Sequence, residues 1–124
     1  MRKILVIEDE PDLRANVSRF LKAEGYEVHA AADGAAGVEA ALAQMPDLIV
    51  CDITMPEMDG FGVLAALRSQ PETAAIPFIF LTASADKEDL ARGLQSGANE
   101  YVTKPFKIAD LLAAVRRLLP PGAQ

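Results

Sequence analysis

Four places in this 124-residue chain hold side chains that could do chemistry together: the acid pair Glu8-Asp9, the carboxylate of Asp52, the hydroxyl of Thr82 and the ammonium of Lys104. Three carboxylates gathered at one point repel one another, so a shared site is worth forming chiefly when a cation neutralises it. An all-oxygen donor set with room for water suits a hard ion, Mg²⁺ before any other and Mn²⁺ as a substitute, better than a soft transition metal. One lysine and one hydroxyl beside a metal-bound carboxylate are the equipment for handling a phosphoryl group, because stabilising its oxygens is most of that catalytic task.

For this chemistry to occur, residues far apart in sequence must meet, and the apolar patterning shows how. Residues 48–51 (Leu-Ile-Val-Cys) form an unbroken apolar run that reads as a strand buried on both faces, and it delivers Asp52 to its C-terminal end. Pro56 and the Asp59-Gly60 pair follow as loop and turn signals. Residues 3–8 read as a first strand ending in acids, 27–31 as a second and weaker one, 76–81 as a buried fourth closed by Thr82, and 100–103 as a short fifth before Lys104. Between them lie helical periods. Pro11 opens a helix with Leu13, Val17, Phe20 and Leu21 on one face, stopped by Gly25. Asp33-Gly34 leads into a helix whose inward face is expected to be Val38, Ala41, Leu42 and Met45 before Pro46. A third helix carries Val63, Leu64 and Leu67, and a fourth is expected over 87–96 with Gly97 as its cap. The clearest period belongs to the last helix, with Ile108, Leu111, Leu112, Val115, Leu118 and Leu119 along one face.

Five strands alternating with five helices imply right-handed crossovers and a parallel sheet covered on both faces. In such a sheet all strand C-termini share one edge, where open α/β folds bind their ligands. Glu8, Asp9, Asp52, Thr82 and Lys104 all fall on that edge.

Composition narrows the classes further. A chain of 124 residues that is 51% hydrophobic fits one domain with a real core. Eighteen Asp and Glu against twelve Lys and Arg give a net charge of -6, with the cations dispersed apart from Arg116-Arg117, which argues against nucleic-acid binding by this domain. No apolar stretch approaches the roughly 20 residues that span a bilayer, and the run 4–7 is too short for a signal peptide. No membrane role and a cytoplasmic location are expected. The single cysteine, Cys51, reads as a small core residue, and His29, alone of its type, as structural.

Each candidate residue also has an ordinary reading. Glu8-Asp9 before Pro11 could cap a helix, Asp52 begin a turn, Thr82 cap a helix, Lys104 stand exposed before Pro105, Tyr101 pack in its strand, and Met55 or Met58 fill space. Their conjunction weighs against this, since four separate strand ends would each have to place a suitable group on one edge by accident.

The motifs Val6-Ile7-Glu8-Asp9-Glu10, Asp52-Ile53-Thr54-Met55-Pro56-Glu57-Met58-Asp59-Gly60, Leu81-Thr82-Ala83 and Gly97-Ala98-Asn99-Glu100-Tyr101-Val102-Thr103-Lys104-Pro105-Phe106 together resemble the receiver domain of two-component response regulators. The resemblance spans essentially the whole chain, with its motifs in order at the ends of strands one, three, four and five. It implies the flavodoxin-like (βα)5 three-layer sandwich with strand order 2-1-3-4-5. It makes Asp52 the phosphoacceptor, taking a phosphoryl group from a sensor histidine kinase or histidine phosphotransfer protein. By the same resemblance Asp9, Asp52 and the backbone carbonyl of Thr54 ligate Mg²⁺ and Glu8 acts through a metal-bound water. Lys104 pairs with a phosphoryl oxygen, aided by a cis bond to Pro105. Thr82 and Tyr101 are the switch pair, and Thr54 and Ser84 tune the lifetime of the modification. Glu8 stands where many members carry aspartate. The output implied is a change in the surface of the fourth helix, fifth strand and fifth helix, read by a target protein or output domain, in a monomer or a phosphorylation-dependent dimer. The receiver domain is assigned to residues 1–119, and 120–124, containing Pro120-Pro121-Gly122, to a tail or the start of a linker, so that the chain is either a stand-alone receiver or one cut from a longer regulator.

Two rivals share parts of this pattern. A haloacid-dehalogenase-type phosphatase also uses a strand-end aspartate, Mg²⁺, a hydroxyl and a lysine, but wants an acid two residues after the nucleophile, where this chain has Thr54. A flavodoxin fails at the first loop, since Glu8-Asp9-Glu10 would repel a flavin phosphate.

Overall fold

The solid apolar runs become the interior of a single sheet. The computed structural model describes residues 2–83, 91, 92, 95 and 97–119. Its elements are β1 (Lys3–Ile7), α1 (Pro11–Ala23), β2 (Glu27–Ala31), α2 (Gly34–Gln44), β3 (Leu48–Asp52), α3 (Gly60–Arg68), β4 (Phe78–Thr82), β5 (Glu100–Thr103) and a C-terminal helix (Ile108–Leu118). The five strands are all parallel and lie in the order β2-β1-β3-β4-β5, the order that the sequence resemblance implies. Four helices fall within the described residues. The helix expected over 87–96 lies, apart from residues 91, 92 and 95, outside them, as do Ser84 and the 120–124 tail.

Strand position explains strand composition. β3 and β4, flanked on both sides, are buried at every residue, whereas the edge strands β2 and β5 bury one residue each, Ala31 and Val102, in keeping with a second strand that reads as weaker and a fifth that reads as short. The pleat divides the core in two. Leu5, Ile7, Ile49, Cys51, Phe78 and Phe80 face α2 and α3, with Phe80 making edge-to-face contacts to Phe61 and Phe78. Ile4, Val6, Leu48, Val50, Ile79, Leu81 and Val102 face α1 and the C-terminal helix, against Val17, Leu21, Leu111, Ala114 and Val115.

Three local expectations are corrected. In α2 the buried residues are Gly34, packed against Met58, and Gly37 and Ala41 over the sheet, with Val38 half-buried, while Leu42 and Met45 are exposed. A Cβ on Gly37 would lie 2.5 Å from Ile7 Cδ1, so the helix sits too close to β1 for large side chains on its inner face. Phe20 of α1, placed inward by periodicity, is also exposed. The fourth strand starts at Phe78, not at Ile76, because the Ile76 amide donates to the Thr73 carbonyl in a turn and Pro77 has no amide hydrogen to offer a neighbour. No described helix is long and apolar enough to cross a membrane.

Within α1 the buried hydroxyl oxygen of Ser18 has no hydrogen-bond partner among the described residues. Ser18→Ala removes that unsatisfied group and improves helix propensity, so a gain of about 0.5–1 kcal/mol is expected in urea denaturation. A loss of stability would show that the hydroxyl has a partner.

Candidate functional site

Register and pleat decide which strand-end groups meet. β1 and β3 pair with Ile7 beside Cys51, so one step further Glu8 comes level with Asp52. Glu8 continues the Ile4-Val6 series, Asp52 the Leu48-Val50 series and Lys104 the Val102 position, all on the α1 side of the sheet. Lys104 accordingly reaches both acids. Its Nζ donates to Asp52 Oδ2 at 3.1 Å and to Glu8 Oε1 at 3.3 Å. Thr82 belongs to the opposite series, on the α3 side with Phe78 and Phe80, and pairs with Thr103 on β5. The Lys104 amide donates to the Thr82 carbonyl at 2.6 Å, so the segment carrying the lysine is tied to the strand carrying the hydroxyl.

Burial makes this charge cluster unusual. Glu8 is 1% exposed, Asp52 5% and Thr82 2%. Desolvation, above all, pushes the Glu8 carboxyl up to about 7; the neighbouring Asp52 and Asp9 add to the rise, and the hydrogen bond from the Glu10 amide opposes it. At Lys104 burial pulls downward, but the hydrogen bond and charge of Asp52, followed by those of Glu8, outweigh it and hold the ammonium above its ordinary value. Cys51 is driven well above the ordinary thiol range by burial, so it packs and does not react.

Carboxylate oxygens of Glu8, Asp9 and Asp52 all come within 4.8 Å of one another, with Asp9 the most open of the three. This all-oxygen donor set fits a hard divalent cation, and the Lys104 ammonium already sits against two of its members as a cation would. The rim is built tightly. The Thr54 amide approaches Asp52 Oδ1 at 3.4 Å, and a Cβ on Gly60 would fall 2.4 Å from the Asp52 carbonyl oxygen, so only glycine lets α3 begin this close behind the acid. Asp59, expected as part of a turn, is the N-cap of that helix, accepting from the Gly62 amide at 2.9 Å. Glu57 takes φ 67°, a left-handed conformation uncommon outside glycine. The Lys104–Pro105 peptide is cis. Tyr101 is 40% exposed on edge strand β5.

Two features had no signal that local sequence reading could use. Arg14, one turn into α1, donates from Nη1 to the Glu8 carbonyl at 2.9 Å. An apolar groove beside Lys104 is lined by Leu13, Val17, Phe20, Phe106 and Ile108.

Comparison with known proteins points one way. Residues 4–116 match the family model described as the response regulator receiver domain. The chain is 44% identical over 119 residues to the DNA-binding dual master transcriptional regulator RpaA of Synechocystis sp., covering 96% of this chain and 49% of that protein. The chain thus spans about half the length of the curated relatives it matches. Among solved structures, chemotaxis protein CheY4 of Vibrio cholerae superposes with a TM-score of 0.91 at 35% identity, over 95% of this chain and 98% of that one. The receiver domain of sensor histidine kinase PA1611 from Pseudomonas aeruginosa, whose structure has a magnesium ion coordinated in the active site cleft, gives 0.87 at 36% identity, over 95% and 97%.

Proposed function

The chain belongs to the response regulator receiver domain family, a family of two-component signalling domains, and from that membership we propose that it is a phosphorylation-controlled switch whose phosphoacceptor is Asp52. The observation that carries the reading is the placement of Asp52 at the end of a fully buried strand, 3.1 Å from Lys104 and clustered with Glu8 and Asp9. The proposed receiver domain runs over 1–119, with 120–124 as tail or linker. A cytoplasmic location goes with this role.

Asp9, Asp52 and the Thr54 carbonyl would hold Mg²⁺, or Mn²⁺ in its place, with Glu8 acting through a water. The bound ion would supply positive charge to the oxygens of a transferring phosphoryl group. A carboxylate oxygen of Asp52 attacks phosphorus, the bond to the donor histidine nitrogen breaks with its electron pair returning to the ring, and an aspartyl phosphate results. Lys104, already hydrogen-bonded to Asp52, turns to the new phosphoryl oxygens. The receiver thus assists its own modification and its later hydrolysis, with Thr54 and Ser84 at the positions proposed to tune the second step. The donor is a histidine kinase or histidine phosphotransfer protein, and the groove beside Lys104 offers such a protein an apolar surface next to the reacting carboxylate.

Phosphorylation replaces the single negative charge of Asp52 with a phosphoryl group carrying about -1.5 to -2 and three acceptor oxygens, a net gain of about -0.5 to -1. Thr82 would donate its hydroxyl to the phosphoryl group and Tyr101 would move inward from its exposed position, altering the surface formed by the segment before β5, β5 itself and the C-terminal helix. A target protein or output domain, or a second copy, reads that surface. The overall test is uptake of one phosphate from a small phosphodonor, followed by intact-protein mass spectrometry with and without EDTA. Modification that persists in EDTA would overturn the metal-assisted reading.

Thr82→Ala separates chemistry from signalling. Asp52 should still accept phosphate, but the lost hydrogen bond to a charged group forfeits about 1.5–3 kcal/mol of the differential contact that drives the switch. At matched phosphorylation the NMR shift changes over β5 and the C-terminal helix should shrink towards zero. The full wild-type pattern in the variant would remove Thr82 as the coupling residue.

A further inference from the structure

The acid loop between β1 and α1 has an unusual support. Glu10 is the N-cap of α1, yet its side chain makes no capping hydrogen bond, and Pro11 has no amide hydrogen to give. The Glu8 amide donates to the Ala31 carbonyl and the Glu10 amide to the Glu8 carboxylate at 3.2 Å, ties that run to the strand and within the loop itself. From α1 come the helix's own first hydrogen bond, the Arg14 amide on the Glu10 carbonyl at 3.0 Å, and, reaching further back to the acid itself, Arg14 Nη1 on the Glu8 carbonyl at 2.9 Å. That carbonyl lies in one rigid plane with the Asp9 amide and the Cα atoms of Glu8 and Asp9, so holding it fixes the orientation of that plane relative to α1. We propose that Arg14 is a positioning residue for metal binding: by pinning the Glu8 carbonyl it sets the angle at which Glu8 and Asp9 present their carboxylates beside Asp52. The inference rests on the divalent-cation reading above.

Electrostatics and positioning predict opposite signs. Arg14 is a cation near a cation site, so removing its charge would by Coulomb's law alone strengthen binding of Mg²⁺. Removing a positioning contact weakens it, by about 10–100-fold where the partner orients a ligand from the outer shell. The experiment titrates Mg²⁺ alone into wild type, Arg14→Met, which keeps most of the apolar stem, and Arg14→Lys, which keeps the charge without the planar fork. The readout is the amide NMR shifts of Glu8, Asp9 and Glu10. Weaker binding in both variants is the expected result, with Arg14→Met the weaker, and with phosphorylation rates recovering at saturating Mg²⁺. Affinity at or above wild type in either variant overturns the inference while leaving the cation reading in place. If Arg14→Met does not fold, Arg14→Lys decides by the same criterion. No saturable shift in wild type would remove the cation reading itself, and this inference with it.

Discussion

Asp52→Asn should take up no phosphate from a small donor in the presence of Mg²⁺, a fall of at least about a thousandfold, on the scale seen when an attacking group is removed. The amide is nearly the same size as the carboxylate, and its oxygen can still accept from Lys104 Nζ, which lies 3.1 Å from Asp52 Oδ2 in the native site. What it lacks is the negative charge that makes the oxygen a nucleophile and a metal ligand. The fold should survive. Replacing Asp52 removes attraction to Lys104 but also removes a partner that raises the Glu8 carboxyl by hydrogen bond and by charge, two changes of opposite sign. Intact-protein mass spectrometry tests the first expectation and thermal unfolding the second. Normal phosphate uptake by a folded Asn variant would take the phosphoacceptor role away from Asp52.

Glu8 gives the molecule a pH dependence that runs against ordinary acid denaturation. Its carboxyl is pushed from 4.5 to about 7, chiefly by burial. Between those values the folded protein holds a proton that the unfolded chain releases, so stability falls as pH rises through that window and levels off above it. At 1.36 kcal/mol per pH unit the full effect is on the order of 3 kcal/mol. Lys104 stays charged throughout, since its pKa is raised from an already high value, and adds no slope. Urea denaturation without metal should therefore show the loss, and Glu8→Gln, which is neutral at every pH, should flatten it. Mg²⁺ competes with the proton for the same cluster, so its apparent affinity should climb with pH over the same window. A metal-free protein whose stability rises from about pH 5 to about pH 7 by an amount that depends on Glu8 would contradict the buried, protonated carboxyl.

Much of this site was legible because strand ends in a parallel sheet are legible. The buried run before Asp52, the acids after β1 and the lysine after β5 each mark a C-terminal edge, and all of them lie within residues 4–116, which match the family model. Periodicity served where side chains are large. The C-terminal helix buries Leu111 and Val115 and its cap residue Leu119, with Ile108, Leu112 and Leu118 of the expected face half-buried. It failed on α2, where close approach to Ile7 selects Gly37 and Ala41 for the inner face and leaves the larger Leu42 and Met45 in solvent.

From the sequence alone came which groups stand on the functional edge and the chemistry their types allow. Tertiary structure decided which of them touch. Lys104 reaches Glu8 across 96 residues and Asp52 across 52, contacts that depend on β1, β3 and β5 presenting the same side of their pleat to α1. Thr82 falls on the other side, and Arg14 finds the Glu8 carbonyl only because α1 folds back over that face. A one-residue slip in any strand would turn its side chains to the opposite layer, and register is set by packing the whole core rather than by the residues of the site.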